Sequence, residues 1–430
     1  MIGDKINFKD IKSLIFIWVS SLTNIALAFI NQTILARNLS IEDYGLFNSY
    51  IGFINILIPI IGVGITTYWL KRFGKSKELS KDLILASLSI LLISFVLTIS
   101  IVFITTDFHG FNNFLILGIL SFVILGTLFS DIIATIFQVK NKFLSFSIVQ
   151  SCSTILRFVF LIILIFIIEQ SSLVNISIIW ALSGILIPFI FYKTVIKEIP
   201  NPFLNISKVF SQFKSRYTLR ILKGSSIFGI VGLLYLGWSQ GHIVFAKIIF
   251  GNYGAGLYSS VIILSIAISI FPNVIFSKFL APKYHKLIYS NPISIKSSFW
   301  PNNILLFISG VITTIIIYFF SEFIIDIAFG DKYEEAISIL KILCLTFPMR
   351  FCGFNAGLIL TTRDFLYTKL KILLVIVIIN LLLAYFLSQV YEIHGLALSI
   401  VVSELILVLI YIKISKSLLN KICIQTKNMH

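Results

Sequence analysis

Apolar runs of about 20 residues or more succeed one another along almost the whole chain, and nothing constrains the fold more than this. A run of that length crosses the hydrocarbon core of a bilayer as an α-helix, which satisfies its own backbone hydrogen bonds there. The runs place segments 1 to 12 at about 14–36, 43–70, 82–106, 112–138, 144–168, 173–194, 224–250, 255–280, 303–328, 334–361, 366–388 and 394–415. Turn and charge signals punctuate them, among them Asn38-Leu39-Ser40, Lys140-Asn141-Lys142, Gly251-Asn252-Tyr253-Gly254 and Gly330-Asp331-Lys332. A soluble fold fails on composition, because only 12% of the residues are charged, about half the usual share for a soluble domain.

The net charge of +16 could suggest nucleic acid, but its distribution points to a membrane. Lys5, Lys9 and Lys12 precede segment 1, and Lys71, Arg72, Lys75, Lys77 and Lys81 follow segment 2. The gaps after segments 4, 6, 8 and 10 and the C-terminal tail are also basic. The gaps after the odd-numbered segments hold only Arg37 and Lys332, with Lys247 in the last turn of segment 7. This alternation predicts an even number of helices with both termini in the cytoplasm. Ala26-Leu27-Ala28 imitates a signal-peptide cleavage site, but the apolar stretch around it is too long for one and contains Asn24 and Asn31.

The expected fold is therefore all-α and membrane-embedded, with two six-helix bundles that are parallel repeats around a central cavity. The boundaries are 1–194 for the first bundle, 195–223 for a cytoplasmic linker, and 224–430 for the second bundle with its basic tail. In the linker, Ile206, Val209, Phe210, Phe213, Tyr217 and Ile221 recur at helical spacing, with Lys208, Lys214, Arg216 and Arg220 among them. That pattern predicts an amphipathic helix lying on the inner leaflet.

The two-bundle reading rests on an internal repeat. A shift of 211 residues lays Tyr44-Gly45-Leu46-Phe47-Asn48-Ser49 on Ala255-Gly256-Leu257-Tyr258-Ser259-Ser260. Arg72 meets Lys283, and Pro59 falls two residues from Pro272. Repeats that both begin in the cytoplasm are the architecture of transporters that alternate between inward-open and outward-open states.

No phosphate-binding loop, nucleophile elbow or His/Cys/Glu cluster with metal spacing occurs. Cys152, Cys344, Cys352 and Cys423 suggest neither a disulfide framework nor a metal site. No cofactor is expected beyond coupling to an H+ or Na+ gradient, and no enzymatic activity. The informative residues are charges inside apolar segments, where one ion costs about 2.5–3.5 kcal/mol on insertion scales. Arg157 sits mid-way along segment 5, Arg350 mid-way along segment 10 with Lys341 nine residues before it, and Glu404 mid-way along segment 12. Arg157, Arg350 and Lys341 are candidates for an anionic group, since a guanidinium offers a phosphate two parallel N–H donors. Pairing of Arg350 with Glu404, and snorkelling of Lys341 to the interface, are the competing explanations. Glu404 and Asp131 are candidates for ion or proton coupling. Asn24 and Asn31 on segment 1, and Tyr235 and Ser239 on segment 7, are candidates for a polar cavity lining, although helix–helix hydrogen bonds account for such residues almost as well. Trp69, Trp180 and Trp300 lie near segment ends, as interface anchors would.

The stretch Ile34-Leu35-Ala36-Arg37-Asn38-Leu39-Ser40-Ile41-Glu42-Asp43-Tyr44-Gly45-Leu46-Phe47, followed by Pro59, Gly62-Val63-Gly64 and Lys71-Arg72, resembles the opening of Wzx-type polysaccharide flippases. These belong to the multidrug/oligosaccharidyl-lipid/polysaccharide exporter superfamily. The resemblance implies a substrate, an oligosaccharide on undecaprenyl pyrophosphate, moved from the inner to the outer leaflet of the bacterial inner membrane by alternating access. It implies service to O-antigen or another surface polysaccharide, beside a polysaccharide polymerase and a chain-length regulator. It supplies no residue-level site motif, so the deep charges stand on their own argument.

A cation-coupled multidrug antiporter of the MATE type shares helix number and symmetry, but it calls for an acidic cavity, and the deep arginines oppose that. A major-facilitator protein would carry an Asp in its loop after segment 2, which Lys71-Arg72-Phe73-Gly74-Lys75 lacks. A polymerase or lipid-linked glycosyltransferase would need large loops on the far side, and no such loop is present.

Overall fold

The computed structural model describes residues 8–76, 81–106, 111–140, 142–169, 172–193, 216–273, 276, 280–362 and 365–427, and these are almost entirely helical. Most of the expected linker helix lies outside the described residues. The helices are α1 (Phe8–Asn38), α2 (Ile41–Gly62), α3 (Ile65–Ser76), α4 (Lys81–Thr106), α5 (Phe111–Val139), α6 (Phe143–Ile162) and α7 (Leu173–Ile190). They continue as α8 (Arg216–Ile268), α9 (Ala281–Ser290), α10 (Pro292–Phe319), α11 (Ser321–Phe329), α12 (Ala336–Leu343), α13 (Phe347–Ile359) and α14 (Leu366–Lys427).

Nine helices among the described residues are long and apolar enough to cross a membrane. Two of these stretches are each two helices joined at a kink. α8 turns at Gly251 (φ 68°, ψ −167°), and α14 turns at Tyr391 and Glu392. Counting each limb, and adding the shorter apolar stretch Ala86–Ser100 of α4, gives twelve membrane helices, the number expected.

Several expected helices are broken. The second was expected over about 43–70 with Pro59 allowing a bend, as Pro348 would in the tenth, and it divides just after Pro59, where Val63 (φ 47°) and Gly64 (φ 65°) enter the left-handed region. Pro59, inside the last turn of α2, removes one helical donor, and the Val63 amide closes that turn on the Pro59 carbonyl at 2.9 Å. The ninth starts earlier than expected, at Pro292, where Asn291 caps the Ser294 amide at 3.2 Å, and it breaks at Phe320. The tenth is interrupted by a 3₁₀ turn at Cys344–Thr346 just before Pro348.

The chain forms two compact units, one containing residues up to Leu39 together with Leu46–Val244, the other Ser40–Gly45 together with Phe245 onward. In the first, α1 packs along α6 and α5 along α7. The α5–α7 crossing is close because both partners are glycine: a Cβ on Gly126 would lie 2.2 Å from the Gly184 Cα. The α2–α3 break rests on the first limb of α8, where a Cβ on Gly64 would meet the Gly229 amide at 2.5 Å. Trp69 is fully buried and donates from its indole nitrogen to Ser87 Oγ at 2.9 Å. Trp180 is only 3% exposed. Both therefore correct the expectation of interface anchors: Trp69 is enclosed although it sits near the start of α3, and Trp180 lies about midway along α7 rather than near its end. Trp300 stays exposed, with the Lys416 ammonium 5.5 Å from its ring.

In the second unit α10 packs against α13, and α14 against α12 and α13. Gly310 makes the α10–α13 crossing, since a Cβ there would fall 2.4 Å from the Pro348 Cα. A buried polar cluster pins α9 down: Tyr284 donates to Asn355 Oδ1 at 3.1 Å and accepts from Asn302 Nδ2 at 3.2 Å. At another end of this unit the Tyr44 and Tyr333 rings meet edge-on at 5.9 Å. Burial, with Glu42 nearby, raises the Tyr333 phenol well above its ordinary pKa, so the ring stays neutral.

Candidate functional site

α6 carries Arg157 about four turns from its start. The side chain is half-buried. Its Nε donates to Ser183 Oγ on α7 at 3.0 Å, and the guanidinium carbon stands 5.3 Å from the centre of the Trp180 ring. Three residues separate Trp180 from Ser183, so both lie on one face of α7. Among the described residues no carboxylate pairs with Arg157. A cation–π contact contributes about 0.5–2 kcal/mol and one neutral hydrogen-bond partner about 1.5–3. Neither supplies a countercharge, so the site holds a net positive charge inside an apolar helix pair.

One turn earlier on α6, the Thr154 carbonyl accepts from Asn31 Nδ2 on α1 at 3.2 Å. The side-chain oxygens of Asn24, Asn31 and Gln32 are buried and meet no hydrogen-bond donor among the described residues. α1 thus brings acceptor atoms beside the stretch of α6 that holds Arg157. Acceptors without donors suit a ligand that brings hydroxyl hydrogens.

Arg350, on α13 of the other unit, is the opposite case. Its Nε lies 3.1 Å from Glu404 Oε1 on α14, and its Nη1 donates to Ser265 Oγ on α8 at 3.0 Å. The pairing foreseen as the structural explanation is therefore made, and Glu404, 7% exposed, is its buried counter-ion. Lys341, on α12, sits with its ammonium 5.6 Å from the Tyr318 ring. Asp131, on α5 in the first unit, has no cationic partner among the described residues. Its backbone carbonyl accepts from Thr135 Oγ1 at 2.6 Å. On α8, Tyr235 is exposed and Ser239 bonds back to its own helix at the Leu236 carbonyl, 3.4 Å away. No group of three or more His, Cys, Asp or Glu side chains among the described residues could hold a metal.

Sequence reasoning missed Ser183 and Trp180. Their signal was present, a small hydroxyl residue three positions after an aromatic one in a segment otherwise rich in Ile and Leu. Only the α6–α7 contact shows which arginine they serve.

A long apolar helix bundle with charged residues buried in it is the build of a membrane transporter, and comparison with known proteins agrees. A polysaccharide biosynthesis protein profile matches residues 11–288, and the chain belongs to that family. No curated protein matches it in sequence. Among solved structures, a multidrug resistance MATE family transporter of the MOP superfamily, in its inward-facing conformation, aligns with TM-score 0.72 at 15% identity, covering 93% of this chain and 95% of that one. The lipid II flippase MurJ, inward closed, aligns with TM-score 0.70 at 17% identity over 93% of this chain and 87% of that one. A MOP superfamily transporter from Pyrococcus furiosus, whose binding pocket is described as of reverse polarity, gives 0.63 at 13% identity over 96% of each chain. The twelve-helix fold is thus that of the MOP-superfamily transporters. The resemblance to Wzx-type flippases holds at the level of the family.

Proposed function

We propose that this protein is a flippase that carries an undecaprenyl-pyrophosphate-linked oligosaccharide from the cytoplasmic to the outer leaflet of the bacterial inner membrane by alternating access. The product would feed O-antigen or another surface polysaccharide, with a polymerase and a chain-length regulator as partners. The observation that carries this reading is Arg157, a deep guanidinium with no countercharge among the described residues. A pyrophosphate and a hydrated sugar cannot enter hydrocarbon unaided, and the membrane must pay heavily for an unpaired arginine unless that arginine has an anion to hold. The donorless oxygens of Asn24 and Asn31 then suit sugar hydroxyls. Tyr235 and Ser239 are secondary lining candidates. Arg350 and Lys341 serve as weaker anion contacts, since Arg350 must first release Glu404. Of the two carboxylates offered for coupling to an H+ or Na+ gradient, Asp131 is the better placed, because Glu404 is committed to Arg350.

The family and the likeness to a lipid II flippase support this reading. The likeness to MATE transporters keeps a cation-coupled multidrug antiporter as the alternative. One experiment separates them. A strain lacking the protein is complemented with the wild type, Arg157→Ala or Arg157→Lys, and surface glycan is measured beside membrane insertion. The expected result is loss of glycan in the alanine variant, with insertion intact, and partial recovery with lysine. Full export by Arg157→Ala, or unchanged glycan together with lost cationic-dye efflux on deletion, would overturn the flippase reading.

A further inference from the structure

Arg157 is aimed, as well as lacking an ion pair among the described residues. We infer that Ser183 and Trp180 are positioning residues that fix Arg157 as an end-on, two-pronged donor to a phosphate of the headgroup. This rests on the proposed role of Arg157 as the headgroup anchor.

A free guanidinium can meet an anion along two kinds of edge: one made by Nε and an Nη, the other by the two Nη atoms. Here the first kind is spoken for, because Nε donates to Ser183 Oγ at 3.0 Å. Ser183 is fully buried and cannot turn away to solvent. Its own hydroxyl hydrogen goes to the Trp180 carbonyl at 2.8 Å, which leaves its oxygen oriented to accept from Arg157. The Trp180 ring covers the guanidinium at 5.3 Å and is itself held edge-on by Phe47 at 5.1 Å. Two contacts on one face of α7 therefore fix both the plane and the rotation of the fork. No described residue takes a hydrogen bond from either Nη atom, and the Nη1–Nη2 edge is the one left for the ligand. Two parallel N–H groups match two oxygens of one phosphate. Arg350 lacks this property, since its Nε and Nη1 are both occupied by protein groups. A lysine at 157 would bring the charge without the planar edge, which is why only partial recovery is expected of it.

The test uses full-length purified protein in detergent and undecaprenyl pyrophosphate as the probe, with binding titrated by native mass spectrometry and folding followed by melting temperature. Ser183→Ala is expected to weaken binding roughly tenfold, as loss of an oriented charged hydrogen bond would, with an unchanged melting temperature. Ser183→Thr, which keeps the hydroxyl, is expected to bind as the wild type does. Trp180→Phe, which keeps an aromatic face, should bind more tightly than Trp180→Leu. If Ser183→Ala also melts early, the comparison moves to the Thr and Phe variants, and equal weakening of Phe and Leu at position 180 would then overturn the proposal. Wild-type binding by Ser183→Ala and Trp180→Leu, beside weakened Arg157→Ala, would overturn the positioning role and leave the anchor standing. Wild-type binding by Arg157→Ala would instead remove the anchor itself.

Discussion

Gly45 and Gly256, the two glycines that the 211-residue repeat lays on one another, are packed backbone to backbone. A Cβ on Gly45 would fall 1.9 Å from the Asn252 carbonyl oxygen and 2.4 Å from the Gly256 amide nitrogen. A Cβ on Gly256 would fall 2.2 Å from the Ile41 carbonyl oxygen. Neither obstacle is a side chain that could rotate aside. The repeat is thus more than a trace of duplication, because each copy of the motif supplies the flat surface on which the other rests.

Gly45→Ala and Gly256→Ala should each destabilise the protein by at least the 1–3 kcal/mol that is typical of overpacking, or about that much per added methyl group. The same substitution at Gly237 or Gly353, where a Cβ would meet nothing within 4 Å, should leave the melting temperature nearly unchanged. Thermal unfolding of the four purified variants checks this, and equal melting temperatures for all four would refute it.

Helix number and sites of reversal were legible because a membrane makes them depend on the length of apolar runs and on a few turn residues. The turn predicted at Gly251-Asn252-Tyr253-Gly254 appears as the positive-φ kink of α8 at Gly251. Breaks within runs were legible only in part, since Pro59 and Pro348 marked segments 2 and 10 for bending and both break beside those prolines. The positive φ of Val63 and Gly64 carries no loss of hydrophobicity, and the close neighbour of Gly64, Gly229, lies on a helix remote in sequence. The same limit governed the site. Mid-segment position was enough to single out Arg157, Arg350 and Glu404, since buried charge is rare. Which of them neutralise one another depends on helix neighbours, as does the burial of Trp180, which lies about midway along α7 and not near an end as the sequence suggested.

The charge alternation along the sequence makes a sidedness prediction. In a background free of Cys152, Cys344, Cys352 and Cys423, a cysteine at Asn112, near the start of α5, should react with a membrane-impermeant maleimide in intact cells. A cysteine at Ser76, the last residue of α3, should react only after the membrane is opened. The reverse pattern would overturn the orientation and, with it, the direction of transport.

Asp131 should matter for energy coupling more than for stability. It is a carboxylate within a membrane helix, with no cation beside it among the described residues, so an amide of the same shape removes no ion pair. Asp131→Asn is expected to leave the melting temperature unchanged or slightly raised, and to make glycan export insensitive to collapse of the proton or sodium gradient. Export by the variant that still falls with the gradient would take Asp131 out of the coupling step.

Glu404 makes the contrasting case, because it holds Arg350 at 3.1 Å and is 7% exposed. Truncating one partner of a buried pair strands the other charge and typically costs about 3–5 kcal/mol. Glu404→Ala should therefore lower the melting temperature more than Asp131→Asn does. Replacing both members with apolar residues of similar size, as in Arg350→Met with Glu404→Leu, removes the stranded charge and should recover most of that loss, since such swaps are often neutral. Ser265 Oγ would then lose its donor from Arg350, but a hydroxyl on a helix can bond back to its own backbone. A double-mutant cycle in thermal unfolding reads the coupling directly. If the double variant is as unstable as the sum of the singles, the pair does not stabilise the second unit. If it is stable yet exports no glycan, Arg350 has a role in transport beyond its salt bridge.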